Sequence, residues 1–285
     1  MRSNNVLGFI FAATLDDKIP ELASSRTTAS VPIGGKYRII DFDLSNMSNS
    51  GISNVGIVAK SNFQSLMDHV GSGSAYDLSK RRSNLSILPP YDGKAFSSFV
   101  ETIYNMHGYI EHCREEYVLI SQGNVITNID YTDVFDFHSK KKADITLIYK
   151  NHAIPQGYDR PITLDVDNDG KVNQIFVKPG VVDKGVFNHA YGSILIKKDL
   201  LMSEIRNAIS VNQLDVRRLI QSSLGKYSIY AYENKGYCAA ISSINDYFEF
   251  NMDLMKKEVR DELFNPQRPI YTKVRDDAPS RYGLT

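Results

Sequence analysis

The residues best suited to chemistry lie in the stretch VPIGGKYRIIDFDLSNMSNSGI, residues 31–52. Gly34 and Gly35 allow a tight turn, and Lys36 and Arg38 follow it with two positive charges. Such a turn could place its cations against an anionic group such as a phosphate. It could equally be a turn whose basic residues anchor the start of a helix. The residues alone favour neither interpretation.

A second candidate is the stretch AATLDDKIPEL, residues 12–22, which follows the apolar run VLGFIF. In many α/β proteins the loop after a buried first strand is rich in glycine and binds phosphate. This loop has no glycine and carries two adjacent acids, Asp16 and Asp17. Each carboxylate would oppose a triphosphate by about 1 kcal/mol at 4 Å in water. The loop as written is therefore a poor phosphate site.

The stretch DVDNDG, residues 165–170, resembles the start of a calcium-binding loop. Such a loop needs a bidentate glutamate at its twelfth position, which is Phe176 here. The flanking residues alternate as strands do, so the pattern predicts a β-hairpin with its turn at Asn168-Asp169-Gly170.

Three aspartates, Asp130, Asp133 and Asp136, lie close together after a predicted strand end. Ligand sites gather at such strand ends, although helix capping is the more common role for these residues. The six histidines show no spacing typical of metal ligands. The sequence therefore predicts no metal site.

Alternating segments of strand and helix character must position these residues. The hydrophobic pattern predicts strands at Val6–Ala13, Asn54–Lys60, Tyr117–Ser121, Asp144–Lys150, Ile162–Val166, Val172–Val177, Tyr191–Ile196 and Ser228–Tyr232. It predicts helices at Ile40–Ser50, Phe63–Val70, Phe99–Arg114, Asp199–Ile209 and Ile244–Leu263. Strands separated by helices indicate an α/β fold with a mostly parallel sheet. The small, polar stretch 70–84 is predicted to be a mobile loop.

Composition limits the function classes. The chain has 285 residues, 42% of them hydrophobic, and a formal net charge of +0. A neutral chain argues against a broad surface for nucleic acid or membrane, and no apolar run reaches the roughly 18 residues of a spanning helix. The two cysteines, Cys113 and Cys238, fit a reducing compartment. We therefore expect a cytoplasmic protein.

The stretch 31–52 closely resembles the region that follows the nucleotide loop in glucose-1-phosphate adenylyltransferases of bacterial glycogen synthesis. The resemblance recurs in EYVLISQGN (116–124), FVKP (176–179), NDYFEFNMDL (245–254) and NPQRPIYT (265–272). It implies a Rossmann-like, GT-A-like nucleotidyltransferase domain over residues 1–264 with a mostly parallel sheet. Residues 265–285 would be an extended linker to the family's left-handed β-helix domain, which this chain lacks.

The family joins ATP and glucose 1-phosphate into ADP-glucose and pyrophosphate with the help of magnesium. Position by position, the resemblance implies that this chain has lost the residues responsible. Leu15 stands for the first arginine of the family's GGRGTRL loop, and Thr28 stands for the lysine of RAKPA. Asn124 and Ala240 replace the two aspartates that bind the metal. The resemblance therefore implies no catalytic residue and no metal site in this chain.

A residual ligand cleft is also implied. Arg26, Lys178 and Gly192 match family positions near ATP or the sugar phosphate, whereas the sugar-contacting serine is Ala190. Lys178 and Lys36 could hold a sugar phosphate or a nucleotide without turning it over. The resemblance thus leaves a few candidates for ligand binding in a cleft that no longer carries out the reaction.

Low-GC Gram-positive bacteria pair a catalytic subunit of this family with a second, degenerate one, which this chain resembles. The resemblance implies a non-catalytic or very weakly catalytic regulatory subunit in a hetero-oligomer, expected to be a tetramer, with ATP and Mg²⁺ belonging to the catalytic partner. A small-molecule effector is a further expected partner. Two alternatives stay open, a weak adenylyltransferase in its own right and a module that senses a sugar phosphate or nucleotide. Magnesium-dependent ATP binding by the chain alone would favour the former.

Overall fold

Two units make up the described part of the chain. The structure is a computed structural model that describes residues 3–12, 16, 19–59, 62–79, 84–89, 98–153, 161–177 and 185–274. The first unit comprises Met1–Leu7, Pro90–Ile120 and Thr132–Lys235. The second unit comprises Gly8–Pro89, Ser121–Tyr131 and Gly236–Thr285. Each unit therefore combines segments that are distant in sequence.

Strands and helices alternate along most of the described chain. The strands are β1 Val6–Phe11, β2 Pro32–Ile33, β3 Tyr37–Arg38, β4 Asn54–Val58, β5 Asn84–Leu88, β6 Tyr117–Ser121, β7 Val125–Thr127, β8 Ile145–Ala153, β9 Ile162–Val166, β10 Val172–Val177, β11 Val186–Lys197, β12 Ile229–Glu233 and β13 Cys238–Ala240. The helices are α1 Pro20–Ala23, α2 Ile39–Asn49, α3 Gln64–Val70, α4 Phe99–Asn105, α5 His107–His112, α6 Tyr131–Lys141, α7 Lys198–Ser210, α8 Val216–Ser222, α9 Ile244–Asp253 and α10 Lys257–Leu263. This alternation confirms the predicted α/β class.

The long strand β11 organises the sheet of the first unit. It pairs antiparallel with β6, β8 and β9, whereas β12 pairs parallel with β8. Strands β9 and β10 form the hairpin predicted from DVDNDG. In its turn, Asp167 Oδ1 accepts hydrogen bonds from the N–H groups of Asp169 and Lys171, and Gly170 takes a φ of 84°. The sheet is therefore mixed. The strand predicted at Tyr191–Ile196 lies within β11, but its antiparallel pairing was not predicted.

In the second unit, β4 and β5 pair parallel from Asn54↔Asn84 to Val58↔Leu88. Strand β1 is buried along its whole length, which is typical of a strand covered on both faces. Two short ladders, β2 with β3 and β7 with β13, complete the local pairing. A hydrophobic cluster joins α2, β7, α9 and α10, and its largest members include Phe42 and Phe250. This cluster fixes the elements that carry the candidate site.

Two long helices predicted from periodicity are each broken, and those predictions were wrong. The predicted helix Phe99–Arg114 is interrupted at Met106, where α4 ends and α5 begins. The predicted helix Ile244–Leu263 is interrupted because Lys256 is extended, with a ψ of 130°. There the Arg260 guanidinium donates to the carbonyl oxygens of Leu254 at 2.7 Å and Met255 at 2.6 Å, which compensates the lost helical hydrogen bonds. Across the described ranges, no helix has the length and apolar character needed to span a bilayer.

A buried carboxylate holds the start of α2. Asp41 Oδ2 accepts a hydrogen bond from the Arg38 backbone N–H at 2.9 Å. Asp41 Oδ1 accepts from the Tyr76 hydroxyl at 2.5 Å and from His69 Nε2 at 2.6 Å. Tyr76 is fully buried in a 3₁₀ turn, Ser74–Tyr76, so the prediction of a mobile loop over 70–84 was wrong for this part. The polar composition of this stretch gave no indication that Tyr76 is buried and bound to Asp41.

The segment 265–274, which we call the C-terminal strap, is bound along α2. The Tyr271 N–H donates to Ser45 Oγ at 2.8 Å, and Asn49 Nδ2 donates to the Pro269 carbonyl at 3.0 Å. Ile270 is buried in the hydrophobic cluster described above. The strap contains neither helix nor strand, and side chains of α2 supply partners for its backbone.

An arginine fixes the middle of the C-terminal strap. Arg268 Nη1 lies 2.7 Å from Asp130 Oδ2, and Arg268 Nη2 donates to the Ile129 carbonyl at 2.7 Å. Asn128 Nδ2 donates to the carbonyl oxygens of Leu263 and Arg268, both at 2.9 Å. The described part of the predicted linker is therefore bound to the second unit.

Candidate functional site

The candidate site lies in the second unit, at the end of β1. The Ala12 N–H donates to the Val58 carbonyl at 2.8 Å, which continues the strand by one residue. The Ala12 carbonyl in turn accepts from the Ala29 N–H at 3.1 Å. The 3₁₀ turn Thr28–Ser30 is thereby attached to the point where β1 stops. In α/β folds this is the position of the ligand-binding crevice.

A carboxylate from the segment after β1 is bound to this turn. Both the backbone N–H and the hydroxyl of Thr28 donate to Asp16 Oδ1, each at 2.7 Å. Thr28 is buried, and Asp16 is half-buried. The residue that replaces the family's lysine therefore donates its hydrogen bonds to one of the two acids predicted to oppose phosphate. Leu15, the other replaced position nearby, lies outside the described residues.

The turn between β6 and β7 approaches β1 closely. Gly123 has a φ of 65°, and a Cβ atom at this position would lie 2.5 Å from the Phe11 carbonyl oxygen. Both the conformation and the space therefore require glycine. This close approach places the following residue, Asn124, beside the end of β1.

Asn124 is held by the strand that carries Ala240. Its side-chain Nδ2 donates to the Ile241 carbonyl at 3.1 Å, and the Ile241 N–H donates to the Asn124 carbonyl at 2.9 Å. One residue further along, Ala240 pairs with Val125 in the β7–β13 ladder. The structure therefore brings together the two positions at which the resemblance implies metal-binding aspartates.

The side chains at these two positions are poor ligands for a divalent cation. Mg²⁺ is bound in proteins chiefly through carboxylates, but here an amide and a methyl group are present. The amide nitrogen of Asn124 is already engaged by Ile241, and Asn124 Oδ1 is buried without a hydrogen-bond donor in the described structure. Within the described ranges, no group of three or more His, Cys, Asp or Glu residues could hold a metal ion. The residues present therefore do not fit the family's magnesium ion.

The prediction that Arg26, Lys178 and Gly192 line a residual cleft stays a prediction, because they do not belong to one described unit. Arg26 is half-buried in the bend that precedes Thr28, in the second unit. Gly192 belongs to the first unit, where it takes a φ of 87° at a bulge in β11. Lys178 lies outside the described residues. Of the three, Arg26 is the one in the unit that holds the candidate site.

The basic turn 34–38 serves the start of a helix. Arg38 Nη1 donates to the Ser65 carbonyl at 2.5 Å and to Ser65 Oγ at 2.8 Å, which fixes the residue just before α2. Lys36 is exposed, with its Nζ 4.9 Å from the centre of the Tyr37 ring. Of the two interpretations left open by the sequence, the structure favours anchoring for Arg38.

The three aspartates after β7 have separate environments. Asp130 forms the ion pair with Arg268, while Asp133 and Asp136 are exposed on α6. Asp133 lies in the first turn of that helix, where a negative charge is favourable. Their spacing therefore reflects helix structure rather than a ligand site.

One buried acid of this region was missed from the sequence. Asp43 on α2 is 3% exposed, and its Oδ1 accepts a hydrogen bond from Ser121 Oγ at 2.5 Å. Its Oδ2 is buried with no partner in the described structure. Burial raises the pKa of Asp43 to about 7, and Asp43 in turn raises the pKa of the buried Tyr131 hydroxyl, second to burial itself. An acid inside a helical pattern gives no sign of burial.

The chain belongs to the nucleotidyl transferase family, whose family model matches residues 17–257. Among its relatives are the glycogen biosynthesis protein GlgD of Geobacillus stearothermophilus and a glucose-1-phosphate adenylyltransferase of Clostridium acetobutylicum. The former is 35% identical over 291 residues, covering 99% of this chain and 73% of the relative. The latter is 30% identical over 292 residues, covering 99% and 75%. The resemblance seen in the sequence is therefore confirmed.

A solved structure supports the fold independently of sequence. It is a Bacillus anthracis structure described as that of a glucose-1-phosphate thymidylyltransferase in complex with sucrose. Its TM-score with this chain is 0.71 at 13% identity, and the match covers 92% of this chain and 98% of the other. The predicted nucleotidyltransferase fold is therefore confirmed, and the likeness carries no statement about substrate.

Proposed function

We propose that this chain is a regulatory subunit, without catalytic activity or nearly so, of a glucose-1-phosphate adenylyltransferase in glycogen synthesis. The observation that carries the proposal is the pairing of Asn124 with the Ala240-Ile241 strand. The two positions lie on neighbouring strands, but they present an amide and a methyl group instead of two carboxylates. The chain thus has the fold of the family, but positions 124 and 240 lack the carboxylates that would bind the metal.

The amount of transition-state stabilisation lost with these residues supports an inactive subunit. Bound metal ions and phosphate-binding groups each contribute several kcal/mol of transition-state stabilisation. Because each 1.36 kcal/mol changes the rate tenfold, losing both metal ligands and the phosphate lysine lowers turnover by many orders of magnitude. The Asp16–Thr28 contact adds a negative charge where substrate phosphates would need a positive one.

The proposal places the chain in the cytoplasm, within a hetero-oligomer. The relatives include both a GlgD protein and adenylyltransferases, which matches a regulatory subunit acting beside a catalytic one. In this arrangement ATP and Mg²⁺ bind to the catalytic subunit. This chain tunes its activity, through an effector or through assembly itself.

A mixing experiment tests the proposal. The rate of ADP-glucose synthesis is measured for the catalytic subunit of the same genome, for this chain, and for an equimolar mixture, with an inert protein added to the single-subunit samples. We expect no activity from the chain alone and a mixture that exceeds the sum of its parts. Size-exclusion chromatography should show a joint oligomer. A mixture equal to the sum, or synthesis by the chain alone, would contradict the proposal.

A repair variant tests the interpretation of the metal position. We expect Asn124→Asp combined with Ala240→Asp to gain Mg²⁺ or Mn²⁺ binding, seen as a metal-dependent rise in unfolding temperature. Without metal the variant should be less stable by about 1–3 kcal/mol, since the new carboxylate at position 124 would oppose the Ile241 carbonyl. Turnover should stay near zero because the phosphate-binding residues are still missing. Each single variant and exposed Asn245→Asp serve as controls.

Full turnover from these two substitutions would show that the missing phosphate-binding residues are not what limits the reaction. Absence of any metal effect, in a folded variant, would show that the two positions do not form a metal site.

A further inference from the structure

The contact between Asp16 and Thr28 points beyond a simple loss of phosphate binding. Two donors, the Thr28 N–H and hydroxyl, converge on one carboxylate oxygen at 2.7 Å each. Hydrogen bonds to a charged acceptor are shorter and about twice as strong as those between neutral groups. A carboxylate and a phosphate are both anions that only accept hydrogen bonds, so one set of donors cannot serve both at once.

The donors of Thr28 are held in place by their surroundings. The Ser30 hydroxyl donates to the Thr27 carbonyl at 2.9 Å, and Thr27 Oγ1 donates to Ser30 Oγ at 3.2 Å. Thr27 and Ser30 are both fully buried. The turn is also tied to β1 through the Ala29–Ala12 hydrogen bond. Asp16 therefore binds to a rigid partner.

Asp16 lies in sequence between two buried residues of the second unit, Ala12 and Ile19, each 1% exposed. From this position its carboxylate accepts both hydrogen bonds from Thr28.

We propose that Asp16 is an internal latch, whose carboxylate occupies the donors of Thr28 and so excludes an external polyphosphate from them. The inference rests on the proposed function and deepens it. The donors of Thr28 are then occupied by an anion belonging to the chain, and the family's lysine at this position is also missing.

Amide hydrogen exchange tests the latch on the full chain without any activity assay. In the parent protein we expect the Thr28 amide to be protected and unaffected by inorganic tripolyphosphate. In Asp16→Ala the amide should exchange roughly 10- to 100-fold faster, the factor that a charge-assisted hydrogen bond contributes. Adding tripolyphosphate to Asp16→Ala should restore protection, because the phosphate then takes the place of the carboxylate.

Matched variants separate charge, geometry and folding. Asp16→Asn keeps an acceptor oxygen without the charge and should give intermediate exchange, and Thr28→Val combined with Asp16→Ala should lose the tripolyphosphate effect. Asp68→Ala removes one exposed negative charge and should behave as the parent does. An unchanged exchange rate in a folded Asp16→Ala protein would overturn the latch, as would fast exchange that tripolyphosphate does not slow. Either result leaves the mixing experiment above unaffected.

Discussion

As the pH rises, the free energy of unfolding of the parent protein should fall relative to that of an Asp43→Asn variant. The pKa of Asp43 is raised by burial from 3.8 to about 7. The folded state therefore holds a proton that the unfolded state has lost between these two pH values. Stability contributed by this proton is fully present below about pH 4 and is lost as the pH rises through 7.

The expected size follows from the shift. One pKa unit corresponds to 1.36 kcal/mol, so the parent should lose about 4 kcal/mol relative to Asp43→Asn between pH 4 and pH 8. No cation compensates the charge in the contacts described, which are the Ser121 hydroxyl and the nearby Tyr131 ring. Above pH 8 the difference should stay constant.

Urea unfolding at pH 4, 6 and 8 measures this effect directly. The informative quantity is how the difference in unfolding free energy between the two proteins changes with pH. Any effect of the new amide that does not depend on pH is the same at each pH and drops out of this change. Asp261→Asn, on the exposed surface of α10, is the matched control and should show little pH-dependent change. Parallel pH profiles for Asp43→Asn and the parent would contradict a buried acid at this position.

Replacing Asp41 by alanine should cause a severe loss of stability. Asp41, His69 and Tyr76 are all buried, and the carboxylate accepts from both side chains and from the Arg38 N–H. Removing the acceptor takes this partner away from the buried His69 and Tyr76 side chains and from the Arg38 N–H. Breaking such a network costs about 3–5 kcal/mol, or on the order of 10 °C in unfolding temperature.

Asp41→Asn should be milder than Asp41→Ala. Its carbonyl oxygen can replace Oδ1, which accepts from His69 and Tyr76, while its NH₂ group would face the Arg38 N–H. The expected order of stability is therefore parent, Asp41→Asn and then Asp41→Ala, measured by thermal and urea unfolding. The exposed Asp261→Ala should lie within about 0.5 kcal/mol of the parent. A value for Asp41→Ala equally close to the parent would show that the network does not bear on stability.

Strong local patterns predicted the fold well. The boundaries of β6, β9 and β10 agree with the sequence interpretation because each is an apolar or alternating run bounded by turn residues. The break between α9 and α10 could not be foreseen, since the helical apolar period continues through it. Strands β7 and β13 have three residues each, which is too short for any period to show.

The sequence predicted which residues occupy the candidate site, but not which hydrogen bonds they form. The sequence and its resemblance identify Thr28, Asn124 and Ala240 as replaced positions. They do not reveal that Thr28 binds Asp16, or that the Asn124 amide binds the Ile241 carbonyl. Such contacts depend on residues 12 and 117 positions apart along the chain, which only the folded structure brings together.

The C-terminal strap also determines the order in which the protein can mature during synthesis. Ser45 on α2 bonds to Tyr271, 226 residues later in the chain. At 5–20 residues per second, a ribosome needs roughly 10–45 s to make the intervening polypeptide. Throughout that interval α2 lacks the hydrogen bonds that Ser45 and Asn49 make with the strap. This side of α2 therefore reaches its final contacts only after residue 271 has been synthesised.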